Sequence, residues 1–228
     1  ELSNRYFSAT STIKILIVPG HDNEYSGTSF AGKREADLVL KIGAALAEEL
    51  SQDKKLEVVL SRDPVTGNYD KELVEYMKNE QSSINYFIRS KRQQMTDYLS
   101  KGDVNKNVTI NHNIAASSVV FRLYAINKWS NDNKVDVLIH LHLNDDPGRK
   151  VSKGLPGRYN GFAIYIPERQ FSNAEASKLL AQSLAGQLNL TGATSTNQLE
   201  KEGIIEAQEL IALGSNGSQN GASVLLEY

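Results

Sequence analysis

Short apolar runs alternate with helical patterns along this chain, and that alternation predicts an α/β domain. Five runs rich in Val, Ile and Leu, each bounded by Gly, Asn, Asp or Pro, read as strands: Ile13–Val18, Leu56–Ser61, Val135–Leu141, Gly161–Ile166 and Ala222–Glu227. Helices are expected over Arg34–Leu50, Ile114–Trp129, Ala174–Leu188 and Glu200–Leu213. In the first of these, Leu38, Ile42, Leu46 and Leu50 recur at i+4 and suggest the buried stripe. The expected architecture is a single domain, with a twisted, mostly parallel central sheet and helices on both faces. Asp145–Asn160 and Gly214–Gly221 read as loops, and there is no internal repeat.

Thr66–Asn113 stands apart, because it is far longer than an ordinary strand-to-helix connection. Within it, Lys71–Leu99 carries apolar Leu73, Met77, Ile84, Ile88 and Met95 at helical spacing among many charges. It reads as an inserted helical hairpin or cap at the rim of a site, placed to steer or gate a substrate. The domain is thus taken as residues 1–228 with an insertion at about 66–113.

Composition narrows the function classes. The 228 residues are 40% hydrophobic and 23% charged with a net charge of −2, which gives no electrostatic footprint for nucleic acid. No apolar run approaches the roughly 18 residues needed to span a bilayer. Cysteine is absent, so disulfides, thiolate metal sites and cysteine nucleophiles are excluded. The chain opens on Glu1 rather than methionine, as one whose leader has been removed would.

Open α/β sheets place ligands beyond the carboxyl ends of their strands. His21 follows the first strand through Pro19-Gly20, His142 ends the third, Glu227 ends the last, and Glu35 opens the first long helix on its inner side. A carboxylate facing inward needs a partner, and a metal cation is one. Two histidines, a carboxylate and an open position make a catalytic zinc site, where a bound water's pKa falls towards roughly 7. A second carboxylate such as Glu227 can then shuttle the proton. Each residue also has a plain structural reading: a histidine packed in a loop, a first-turn acid on the helix dipole, a penultimate side chain.

These residues sit in stretches that resemble a known family. Ile17-Val18-Pro19-Gly20-His21, then Glu35-Ala36-Asp37-Leu38, is similar to the opening of the zinc-dependent N-acetylmuramoyl-L-alanine amidases of the amidase-3 family. Leu60-Ser61-Arg62-Asp63, Arg122 through Asn127, Ile139-His140-Leu141-His142-Leu143-Asn144, Gly161 through Tyr165 and Ser223 through Glu227 follow in the family's order. The resemblance implies one Zn2+ per chain held by His21, Glu35 and His142, with Glu227 as the catalytic glutamate. It implies hydrolysis of the amide joining N-acetylmuramic acid to L-alanine in peptidoglycan, by an enzyme of the bacterial cell envelope, periplasmic or extracellular. Peptidoglycan is the implied partner, the chain is expected to act as a monomer, and any activator protein is unknown. Arg62, His140 and Asn144 are candidates for touching substrate or supporting the ligands.

Three departures stand out. Asp22-Asn23 replaces the family's Gly-Gly after the first histidine. His140 replaces a serine and shares a face with His142, so ligation, site lining and a structural role all stay open. The chain stops one residue after Glu227, short of the family's usual end. His112, in the insertion, is a weaker metal candidate. Two alternatives share the fold. One is a non-catalytic or autoinhibited peptidoglycan-binding module, with Glu72, Glu75 or Glu80 in the metal's open position. The other is a zinc peptidase cutting peptide–peptide amides.

Overall fold

The structure, a computed structural model, describes residues 2–8, 12–101, 115–145, 155, 157–214 and 221–228. His112 and most of the two expected loops lie outside the described residues. The elements in order are α1 (Leu2–Ser8), β1 (Ile13–Pro19), β2 (Ser29–Phe30), β3 (Lys33–Arg34), α2 (Glu35–Leu50), β4 (Leu56–Leu60), α3 (Lys71–Asn79) and α4 (Gln81–Ser100). They continue with α5 (Ser117–Asp132), β5 (Val137–His142), β6 (Ala163–Ile166), α6 (Ala174–Leu188), β7 (Ile204–Glu206), α7 (Ile211–Gly214) and β8 (Ala222–Glu227).

Six strands form one sheet in the order β4-β1-β5-β8-β6-β7. β4, β1, β5 and β8 run parallel, so their carboxyl ends converge on one rim. β6 runs antiparallel to β8, and β7 parallels β6. The central strands are covered on both faces, which is why they read as nearly continuous apolar runs. On one face Ile13, Ile15, Ile17, Ile139, Leu141 and Val224 pack with Val39 of α2 and Ala181 of α6. On the other, Leu16, Val18 and Leu138 pack with Leu73 of α3 and Ile126 and Trp129 of α5. The expected single domain with helices on both faces is therefore the observed one.

Two expectations are corrected. The helix expected over Glu200–Leu213 is instead a turn, the edge strand β7 and the short α7. β6 offers an unpaired edge that β-branched Ile204 and Ile205 complete, and Glu200 is drawn out of any helix by bonds from Ser195, Asn144 and Tyr165. In α2 the fully buried positions are Glu35, Ala36, Val39, Leu40 and Gly43, while Ile42 is 49% exposed. Leu46 and Leu50 are only half-buried, against the edge of the core. α2 approaches β1 closely, a Cβ on Gly43 falling 2.7 Å from Pro19, so small residues make the contact there.

The segment after β4 is helical as expected, but α3 and α4 are joined at the single residue Glu80, too short a joint for an antiparallel hairpin. Leu73, Ile84 and Met95 are buried. α3 is therefore a layer of the core. Glu72 and Glu75 are exposed along it, and neither they nor Glu80 line a cavity at the strand ends.

Candidate metal centre

β1 ends at Pro19, and Gly20 donates its N–H to the Leu141 carbonyl at 2.8 Å, holding the turn against β5. His142 is the last residue of β5 and crosses over that turn. A Cβ on residue 20 would come within 2.3 Å of the His142 ring, so glycine is required there by close approach. Gly27, at φ +71°, does the same for the other two groups, since a Cβ there would fall 2.5 Å from both the Glu35 carboxylate and the His21 ring.

Glu35 is 4% exposed at the first turn of α2. Its Oε1 lies 3.1 Å from His21 Nε2, 3.1 Å from His142 Nδ1 and 3.0 Å from the Leu143 N–H that donates to it. Its Oε2 accepts the Thr28 N–H at 3.1 Å. Burial alone would push this carboxyl up, but the hydrogen bonds from His142, His21 and Leu143 outweigh it and hold the group far below the usual carboxylate range. The two imidazoles stand edge-to-face with centroids 4.9 Å apart. One donor atom from each of His21, Glu35 and His142 lies within 4.8 Å of the others, and among the described residues no other group of three or more such side chains could hold a metal. Two nitrogens and a carboxylate oxygen, both histidines partly open to solvent, suit a four-coordinate cation with one free position. The Thr28 N–H on the second carboxylate oxygen supplies the outer support such ligands need. The residues fit a zinc-type ion.

Glu227 ends β8 in register with His142. Its Oε2 is buried with no hydrogen-bond partner. Burial, then the charges of Glu35 and Glu200, push its pKa up to about 8. It stands between two cavities. One, of about 180 Å³, runs from His21 and His142 over Leu225 towards Leu123, Ile126 and Ile211 and is largely apolar. The other, of about 130 Å³, is polar, with Asn144, Ser195, Asn197, Glu200 and Tyr228 in its walls.

A family sequence model described as N-acetylmuramoyl-L-alanine amidase, Amidase_3, matches residues 15–227, nearly the whole chain. The chain belongs to the Amidase_3 family. No curated protein matches it in a sequence comparison. Solved members give the same fold. The N-acetylmuramoyl-L-alanine amidase from Clostridium difficile 630 is 17% identical at TM-score 0.53, covering 95% of this chain and 79% of that one. The catalytic domain of CwlV, from Bacillus (Paenibacillus) polymyxa var. colistinus, is 15% identical at TM-score 0.53, with 95% and 79% covered. The CwlD amidase from Clostridioides difficile, in complex with the GerS lipoprotein, is 16% identical at TM-score 0.55, with 95% and 81% covered.

The remaining candidates in this Amidase_3 domain take different places. His140 lies outside the His21–Glu35–His142 group, fully buried, with both ring nitrogens unpartnered. Burial, helped by the charge of His142, pulls its pKa down to about 3, so it is neutral. Arg62 is 1% exposed and braces the rim, donating to the carbonyls of Gly67 at 3.0 Å and Ala36 at 3.1 Å. It lines neither cavity. Asn144 lines the polar cavity and donates to Glu200 at 2.7 Å. Sequence reasoning missed Glu200, because a glutamate in an expected helix looks like a solvated one. Asp22 stood out in the sequence only as a departure from the family's Gly-Gly, with no role attached to it.

Proposed function

We propose that this domain hydrolyses the amide between N-acetylmuramic acid and the first L-alanine of the peptidoglycan stem peptide, using one zinc held by His21, Glu35 and His142. The observation that carries the reading is Glu227: a buried carboxyl oxygen without a partner, on the strand beside His142, in a domain of this amidase family. Zinc at the three ligands would supply the Lewis acidity that polarises the scissile carbonyl and acidifies a water. Glu227 accepts the proton of the attacking water and delivers it to the departing alanine nitrogen. Without a metal, burial and the charges of Glu35 and Glu200 push its pKa up to about 8; a zinc cation beside it would lower that value and favour the ionised form that accepts a proton. Glu35 brings a negative charge to the ligand set, and the Leu143 and Thr28 N–H groups fix its orientation. The polar cavity on one side of Glu227 and the apolar one on the other give the two halves of the substrate separate surfaces.

The reading makes the whole chain a catalytic domain with a helical insertion, acting as a monomer on peptidoglycan in the cell envelope. Tyr69, just before α3, lines the apolar cavity, which supports a role for the start of the insertion in steering substrate. The test is digestion of purified peptidoglycan with and without added zinc, followed by mass analysis of the products. Zinc-dependent release of intact stem peptides with a free N-terminal alanine is expected. Release of peptide fragments cut between amino acids would identify a zinc peptidase, and binding without release would identify a non-catalytic module.

A further inference from the structure

His21 holds an unfavourable backbone conformation, φ +60°, in a residue that carries a Cβ. The surrounding structure has to hold it there, and the residue that follows is built to do so. Asp22 is 6% exposed. Its Oδ1 accepts the N–H groups of Glu24 at 2.9 Å and Tyr25 at 2.8 Å, while its own N–H donates to the Tyr25 carbonyl at 3.0 Å. Residues 22–25 are closed into a tight turn by that one side chain.

The other carboxylate oxygen ties the turn to its surroundings. Oδ2 accepts the Tyr69 hydroxyl at 3.1 Å and lies 3.3 Å from Arg122 Nε. The Arg122 guanidinium sits over the rings of Tyr25 at 5.4 Å and Tyr69 at 5.9 Å, and it donates to Glu24 at 2.9 Å. Asn23 adds bonds to the Thr66 carbonyl at 3.1 Å and the Asn68 side chain at 3.0 Å. One buried carboxylate thus connects the His21 loop to the segment before α3 and to α5.

We infer that Asp22 is a positioning residue that acts through His21, holding its imidazole against Glu35 in the geometry a metal needs. The inference rests on the zinc reading above. Without Asp22, two turn N–H groups lose their acceptor and Arg122 keeps only Glu24 among its carboxylate partners. The backbone bond to Tyr25 and the Asn23 bonds remain, but the side-chain bonds that close the turn and tie it to Tyr69 and Arg122 are gone, which weakens the hold on the positive φ of His21 and lets its ring shift from Glu35.

The test is zinc affinity, measured by competition with a chromophoric chelator on the full chain, together with thermal unfolding of the zinc-free proteins. The set is wild type, Asp22→Ala, Asp22→Asn, His21→Ala and the Asp22→Ala/His21→Ala double variant. Asp22→Ala is expected to weaken zinc roughly 10–100-fold, the range seen for residues that orient metal ligands. Asp22→Asn, which retains an oxygen for the turn N–H groups, loses less. The double variant binds zinc no more weakly than His21→Ala alone, because the effect passes through His21. Should Asp22→Ala fail to fold, Asp22→Asn alone and combined with His21→Ala carries the same comparison. Wild-type affinity in the Asp22 variants, or a loss of undiminished size in the His21→Ala background, overturns the inference and leaves the zinc reading standing. A wild-type protein that binds no zinc overturns both.

Discussion

Glu227 and His142 end neighbouring parallel strands in register, so an unpartnered carboxyl oxygen stands on the strand next to a histidine whose Nδ1 is 3.1 Å from Glu35. Against the push of burial, bonds from His142, His21 and Leu143 hold Glu35 well below its ordinary pKa, while burial and the charges of Glu35 and Glu200 push Glu227 up to about 8. Divergent pKa values in one site are what the proposed roles call for, Glu35 as a fixed charge and Glu227 as a proton carrier.

Replacing Glu227 by Gln keeps its size and removes the proton acceptor. Peptidoglycan hydrolysis is expected to fall roughly 10²–10⁴-fold while zinc stays bound. Turnover at the wild-type rate by the zinc-loaded Glu227→Gln protein would exclude Glu227 from the mechanism.

The raised pKa also makes a stability statement about the zinc-free protein. Between about pH 4.5 and pH 8 the folded chain keeps a proton on Glu227 that the unfolded chain releases, so this group lowers stability as pH rises through that window. Glu227→Gln has no such penalty. Compared with wild type, the zinc-free variant should therefore melt relatively higher at about pH 8 than at about pH 5. A difference in melting temperature that does not change with pH would show that Glu227 ionises normally.

His142→Ala removes one donor of the three-residue group and should reduce zinc content sharply, whereas His140→Asn should leave it near one per chain. Elemental analysis of the purified variants decides. Full zinc in His142→Ala would remove His142 from the ligand set and make His140 the first replacement to test.

Arg62 is buried and donates to the backbone carbonyls of Gly67 and Ala36, so its loss should be felt by the fold. Arg62→Ala is expected to cost about 2–5 kcal/mol in chemical denaturation, from lost charge-assisted hydrogen bonds and an unfilled space. Lysine should rescue poorly, because a single ammonium cannot reproduce the guanidinium fork. An unchanged denaturation midpoint would return Arg62 to the substrate-binding candidates.

Leu73 gives the corresponding test for the inserted helices. It is 4% exposed and packed with Leu16, Val18, Ile126 and Trp129, so Leu73→Ala should destabilise by about 2–5 kcal/mol. A loss under about 0.5 kcal/mol, the range of surface substitutions, would mean α3 is a detachable cover.

Local pattern alone determined a good part of this molecule. The strand Ala222–Glu227 and the helix Ala174–Leu188 stand at the residues their apolar periodicity marks, because both signals depend only on neighbours a few positions away. Reading site residues off strand ends also brought His21, Glu35, His142 and Glu227 to one rim, since parallel strands joined by helices must end on the same side. Tertiary structure decided the rest. The segment Glu200–Leu213 gave up its helical pattern to complete the β6 edge, a ladder supplied by residues some forty positions earlier in the chain. The buried face of α2 was set by its close approach to β1 at Gly43, which put Val39 inside and Ile42 out. Arg62 and Asp22 drew notice in the sequence only through the family pattern, and what they hold is settled only when distant carbonyls, Tyr69 and Arg122 close around them. A charge enters the interior only with partners, and those partners are assembled by the fold.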